Sequence, residues 1–195
     1  MQQFGFRFTG YLLGLTLILL GCNNNAGTIK RAEVNTGTFY ETVQNHKQVY
    51  PMTCIPSSIE MILKYYKKVD PDFYQLQDDL SRIPPGTFHD YDNRIISGIA
   101  FKHYFAEPRG DNFPLEELYQ TIATELKAGR KVIISLASGP NLYHIYVVDQ
   151  QTSNGDFVAY SRDYNLSSVL EVRNVKDIVK GMQGTDILTY QVAGL

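Results

Sequence analysis

The stretch TCIPSSIEMILKYY, residues 53–66, decides how the chain is read. Ile55, Ile59, Ile62, Leu63 and Tyr66 recur at the spacing of one face of an α-helix, so they form a single apolar stripe. Pro56 fits the first turn of such a helix, where its missing N–H leaves no bond unmade. Lys64, Lys67 and Lys68 crowd the far end, where positive charge complements the helix dipole. Cys54 is therefore expected at the N-terminal mouth of a buried helix. That position matters because the thiolate is the nucleophilic form of cysteine. Helix N-termini and neighbouring imidazolium groups favour it. The plainer alternative is a small buried hydrophobe.

Upstream, residues 39–49 carry no clear period. They lead through Tyr50-Pro51-Met52 into the helix. Residues 22–38 are rich in Asn, Gly and Thr and read as a flexible tether. Residues 1–21 hold Arg7 and an apolar run from Tyr11 to Leu20, which reads as the core of an export signal. The run closes in Leu19-Leu20-Gly21-Cys22 and then three asparagines. This resembles the bacterial lipobox, which implies cleavage before Cys22, lipidation of its thiol and a place in the cell envelope on a membrane face. A plain secretory signal with an incidental Cys22 is the alternative. The expected organisation is a signal peptide over 1–21, a tether over 22–38 and one folded domain over 39–195.

Downstream, a short helix is expected near Phe73 to Leu80, another around Asn93 to Tyr104, and a clearer one from Pro114 to Ala128 with Gly129 as its stop. The period then changes. Residues 131–137, 143–149 and 157–162 read as strands, the last two joined by the turn residues Ser153-Asn154-Gly155-Asp156. Val169 to Val172 is a further strand, Val175 to Met182 a short helix behind Asn174, and Ile187 to Val192 a closing strand. A helical N-terminal half packed on a C-terminal antiparallel sheet is an α+β domain.

The bulk numbers suit one such domain. The chain has 195 residues, 44% hydrophobic and 19% charged. A net charge of −2 offers no electrostatic case for nucleic-acid binding. The chain has two cysteines, so a lipidated Cys22 leaves Cys54 without a disulfide partner. The His and Cys positions show no zinc spacing, and neither a metal nor a cofactor is expected.

The base for a Cys54 nucleophile must come from His46, His89, His103 or His144. His144 begins an apolar strand after a Gly-Pro turn, which places it where strand ends meet a cleft. The other three lie in loop-like, solvated contexts. A satisfied core histidine is the plainer reading of His144. A third group that orients the ring is expected at Asp163, at the end of the strand that pairs with that of His144. Asn165 is a nearby substitute, and a turn role is the plainer reading of Asp163. Gln48, six residues before Cys54, offers an amide that with the Cys54 N–H would form an oxyanion hole.

In this order Gln48, Cys54, His144 and Asp163 resemble the papain-like cysteine peptidases. The likeness is closest to the bacteriocin-processing, double-glycine peptidase family. It runs through Cys54-Ile-Pro-Ser-Ser58, Tyr143-His-Ile-Tyr-Val-Val148 and Tyr160-Ser-Arg-Asp-Tyr164, and spans about residues 45–190. It implies a papain-like fold, acyl transfer from a peptide or protein substrate, and a catalytic set of Cys54, His144, Asp163 and Gln48. The family usually has Gly after the cysteine where this chain has Ile55. That departure leaves open a binding lipoprotein that keeps the fold without the reaction. A γ-glutamylcysteine transpeptidase resembling the phytochelatin synthases shares the same residue order. The oligomeric state is not legible from the sequence.

Overall fold

The computed structural model describes residues 38–80, 86–139 and 142–192. The expected signal, the tether up to residue 37 and Cys22 lie outside the described residues. Among the described residues five α-helices accompany one antiparallel sheet: α1 Phe39–Asn45, α2 Cys54–Tyr65, α3 Gln75–Leu80, α4 Leu115–Lys127 and α5 Val175–Gly181. The strands are β1 Ile95–Ile96, β2 Ile99–Tyr104, β3 Val132–Gly139, β4 Leu142–Gln151, β5 Phe157–Ser161, β6 Leu170–Val172 and β7 Ile187–Val192. They are ordered β1-β2-β7-β3-β4-β5-β6, and every neighbouring pair is antiparallel. The α+β expectation is met.

Strand alternation gives the sheet two apolar faces. Ile133, Ile145, Val147, Tyr160, Leu188 and Tyr190 join Phe39 and Val43 of α1 and Ile55, Ile59, Ile62 and Leu63 of α2 in one core. Ile134, Leu136, Tyr146, Val148, Ala159 and Ile187 face Leu118 and Ile122 of α4 and Val175 and Val179 of α5 in another. Helices thus cover both faces. Burying each Ile or Leu of α2's stripe contributes roughly 1.5–3 kcal/mol.

Two segments correct the sequence reading. Residues 39–45 form α1, which a capping box starts: Thr38 Oγ1 accepts from the Glu41 N–H (3.3 Å), and Glu41 Oε2 accepts from the Thr38 N–H (3.0 Å). The expected helix around Asn93 to Tyr104 is instead the β1–β2 hairpin. Ser97 and Gly98 both have positive φ, 48° and 79°, as a two-residue primed turn requires. The hairpin joins the sheet through β2 and β7, so the N-terminal half is not wholly helical. Past β1, residues 92–94 continue along the outer edge of β2. The Asn93 N–H donates to Phe101 O, the Phe101 N–H to Arg94 O, and the His103 N–H to Asp92 Oδ1, each at 2.9 Å.

Candidate functional site

Cys54 is the first residue of α2. The helix opens without a side-chain cap, so its first N–H groups are available to a local acceptor. The backbone N–H groups of Cys54 and Ile55 face the Cys54 sulfur, and the N–H of Ile145 on β4 joins them. Backbone N–H groups from two elements thus lie near the thiol. Ile55 itself points away, into the core, at 7% exposure. The bulky residue in the place of the expected glycine therefore does not occupy the space around the sulfur.

The sequence favours an acidified thiol, and the structure reverses that expectation. Burial pushes the Cys54 thiol up, outweighing the three N–H groups, and the Asp163 carboxylate adds to the rise. His144 is pushed the other way, below the ordinary imidazole range, again by burial first. The Arg162 carbonyl and Asp163 charge oppose that shift. Both shifts favour the uncharged forms, the neutral thiol and the neutral imidazole.

The four residues singled out from the sequence are placed as follows. His144 is buried on β4, on the same side of the strand as Tyr146, whose ring centroid lies 5.4 Å away. Its Nε2 lies 2.9 Å from Ser161 Oγ and 3.0 Å from the Arg162 carbonyl oxygen. Ser161 Oγ gives its own hydrogen to the Ile145 carbonyl, and a carbonyl can only accept. Nε2 is therefore the protonated nitrogen, and Nδ1 carries the lone pair. Among the described residues Nδ1 has no hydrogen-bond partner, and no hydrogen bond joins His144 to Cys54. The thiol faces the N–H of Ile145, the residue that follows His144 on β4.

Asp163 follows β5 and does not hydrogen-bond the ring. Its Oδ1 accepts from the Asn165 N–H at 2.7 Å and closes a local turn. The orienting bond expected of Asp163 is made by the Arg162 carbonyl, one residue earlier. The Asp163 charge still reaches Cys54, His144 and Tyr146 together, so all of them share one neighbourhood. Asn165 contributes only its backbone N–H to that turn.

Gln48 is buried at 8% exposure, and its Nε2 donates to the Tyr50 carbonyl at 3.0 Å. One amide hydrogen is thereby used and one is left. Gln48 Oε1 and Arg162 Nε are both buried without a partner among the described residues. Native structures contain few such atoms.

Beneath this site lies a second polar group that the sequence did not signal. His46, read as solvated, is completely buried. Its Nδ1 accepts from Lys64 Nζ at 3.0 Å, its Nε2 lies 3.0 Å from Ser57 Oγ, and its ring stacks on Tyr74. Burial, then Lys64 and Arg162, hold it well below the usual imidazole range, so it is neutral and makes no ion pair with Glu60 3.7 Å away. Glu60, fully buried, accepts from the N–H groups of Leu76 (3.0 Å) and Gln77 (3.2 Å) and from Gln77 Nε2 (2.7 Å). Burial pushes its carboxyl up to about 7. Gln77, also fully buried, completes the group by reaching the loop between α1 and α2.

A cavity of about 600 Å³ lies elsewhere, between α1 and the far end of α2, lined by Lys64, Lys67, Lys68, Glu41 and Asp70. It is a surface trough of mixed charge, remote from Cys54, and the chemistry argues against it as the reaction site. Among the described residues no three His, Cys, Asp or Glu side chains gather as metal ligands. No helix among them is long and apolar enough to cross a membrane.

No protein-family model matches this chain, and no curated protein is similar to it in sequence.

Proposed function

We propose that the chain is a papain-like domain of the bacteriocin-processing type, tethered to a bacterial envelope membrane through a lipid on Cys22, whose Cys54 transfers acyl groups from a peptide or protein substrate. The observation that carries the reading is the set of three backbone N–H groups around the sulfur, contributed by a helix terminus and by the strand that bears His144. A small apolar residue does not need such donors. A sulfur that becomes negative, next to a carbonyl oxygen that becomes negative, does.

The proposed reaction starts from a neutral thiol and a neutral imidazole. His144 Nδ1 comes within reach of the thiol, about 3–3.5 Å, and takes its proton as the sulfur attacks the substrate carbonyl. The Cys54 N–H and the remaining Gln48 amide hydrogen receive the oxyanion. The imidazolium, steadied through Nε2 by the Arg162 carbonyl and by the Asp163 charge, protonates the leaving amine. Water then releases the acyl group from sulfur. Met52, Tyr143 and Tyr164 are exposed large apolar side chains, each within two residues of Cys54, His144 or Asp163. That surface supports a chain-like substrate with apolar side chains.

The test is acylation of the purified protein by p-nitrophenyl acetate, followed by turnover of peptide libraries. Cys54→Ala is expected to abolish both while leaving the circular dichroism spectrum unchanged. Hydrolysis that survives the substitution would move the chemistry elsewhere, and glutathione consumption would favour the transpeptidase. The buried neutral thiol favours a second reading, a binding lipoprotein without turnover. It predicts acylation no faster than that of a free thiol. Mass spectrometry of the N-terminal peptide checks the lipid on Cys22.

A further inference from the structure

We infer that Gln77 is the positioning residue of the nucleophile: its buried amide holds in register the loop that carries Gln48 and leads into Cys54. The inference rests on the acyl-transfer reading of Cys54.

The amide has two donor hydrogens and two acceptor lone pairs, and all are engaged. Oε1 accepts from the Val49 N–H at 2.7 Å and lies 3.0 Å from Thr53 Oγ1, whose hydrogen it shares with the Tyr50 carbonyl. Nε2 donates to the Lys47 carbonyl at 3.0 Å and to Glu60 Oε2 at 2.7 Å. The backbone partners fix which end of the amide is oxygen, since a carbonyl only accepts and an N–H only donates. Lys47 and Val49 flank Gln48, and Thr53 precedes Cys54. One side chain therefore grips the loop on both sides of the proposed oxyanion donor and directly before the nucleophile.

Gln77 is itself held from behind. Glu60 Oε1 accepts the Leu76 and Gln77 N–H groups in the first turn of α3. Glu60 stands on α2, the helix that Cys54 opens. The grip thus runs from α2 through α3 to the loop and back to the start of α2. With every hydrogen-bonding site occupied, Gln77 has none to offer a substrate, so it acts through Gln48 and Cys54.

Two reactions of one sulfur separate positioning from simple support. Alkylation by iodoacetamide needs a thiolate but no oxyanion hole. Acylation by p-nitrophenyl acetate needs both. A loosened loop that merely supported the fold would expose the thiol and speed the two reactions alike. A lost positioning residue slows acylation selectively. Gln77→Met is expected to lower the ratio of acylation to alkylation rates by about a hundredfold, the scale of a misplacement near 1 Å. Thr53→Val, an isosteric change that keeps the fold, is expected to lower it by about tenfold. Amide exchange at Val49, measured by NMR, should lose its protection in Gln77→Met and keep it in Thr53→Val. An unchanged ratio in a folded Thr53→Val protein, or in both variants, overturns the inference while the acyl-transfer reading stands. Wild-type protein that acylates no faster than N-acetylcysteine overturns the reading itself, and the Val49 exchange then still reports whether Gln77 holds the loop.

Discussion

Two polar clusters meet at the start of α2, and they are built on opposite plans. Around Gln77 and Glu60 nearly every donor has an acceptor, although the group is sealed from water. Around Cys54 and His144 the bonding is incomplete. Backbone N–H groups lie near the sulfur, and His144 Nδ1 has no partner among the described residues; elsewhere in the described residues Gln48 Oε1, Ser58 Oγ and Arg162 Nε are buried without one. Buried polar atoms without partners are costly, each about 1–3 kcal/mol. A closed cluster is what a fold needs. On the proposed reading, an open one beside it suits an arriving group.

The contrast can be broken most directly at Cys54. Cys54→Ala should remove acyl transfer altogether, a loss of about 10³-fold or more, and should shift the urea midpoint little. A large stability loss would mean that the open cluster is structural after all. In the closed cluster the expected outcome is the reverse. Gln77→Met strands the Val49 N–H, the Lys47 carbonyl and Glu60, and should cost at least about 3 kcal/mol of unfolding free energy, read by urea denaturation. A loss under about 1 kcal/mol would dissolve the distinction between the clusters.

Glu60 sharpens the comparison through pH. Its folded-state value, about 7, lies above the ordinary 4.5, so the folded protein holds a proton there that the unfolded chain has released. Stability should therefore rise as pH falls from about 7 to 4.5, by about 3 kcal/mol from this group. Lys64, pushed down to about 8 by burial, works oppositely: the unfolded chain holds its proton longer, so stability rises as pH climbs above 8. Unfolding curves across pH should flatten on the acid side in Glu60→Gln and keep their alkaline limb. An acid limb that survives the substitution would place the titration elsewhere.

The smallest effect is expected at Asp163. Its charge raises the Cys54 thiol without touching it, and it is partly exposed. Asp163→Asn should speed iodoacetamide alkylation at pH 8 by less than about threefold, because an exposed charge is screened. A change of tenfold or more would mean a direct contact between carboxylate and site.

The sequence disclosed the elements whose period was clean. The stripe from Ile55 to Tyr66, the run from Leu115 to Leu126 and the β-branched strands from Val132 onward each have one obvious partner face, and they formed as expected. The misreadings were local signals outweighed by pattern. Thr38-Phe-Tyr-Glu41 is a capping box in plain view, but the helix behind it is only seven residues long. In residues 95–101 the apolar spacing suits strand or helix, and Ser97-Gly98 was the deciding turn. The proposed site was read from the sequence as residue types in order. Its bonds were not: the ring partner is a backbone carbonyl, and no sequence pattern marks which carbonyl a histidine will find. Gln77 was invisible for a related reason, since its partners lie 17 to 30 residues away. Nor were the two pKa shifts foreseeable, because they depend on how deeply the sulfur and the ring sink.

The sheet tapers at both borders, to the two residues of β1 and the three of β6. On the β1 side the leftover groups of β2 are already taken by Asn93, Arg94 and the Asp92 carboxylate, and on the β6 side Glu171 and Arg173 pair with each other. A second molecule trying to extend the sheet would find almost no continuous template and a charged margin, the usual safeguards against edge-to-edge stacking. Extension of the sheet from either border is thus disfavoured by the strands' own brevity and by what already occupies them.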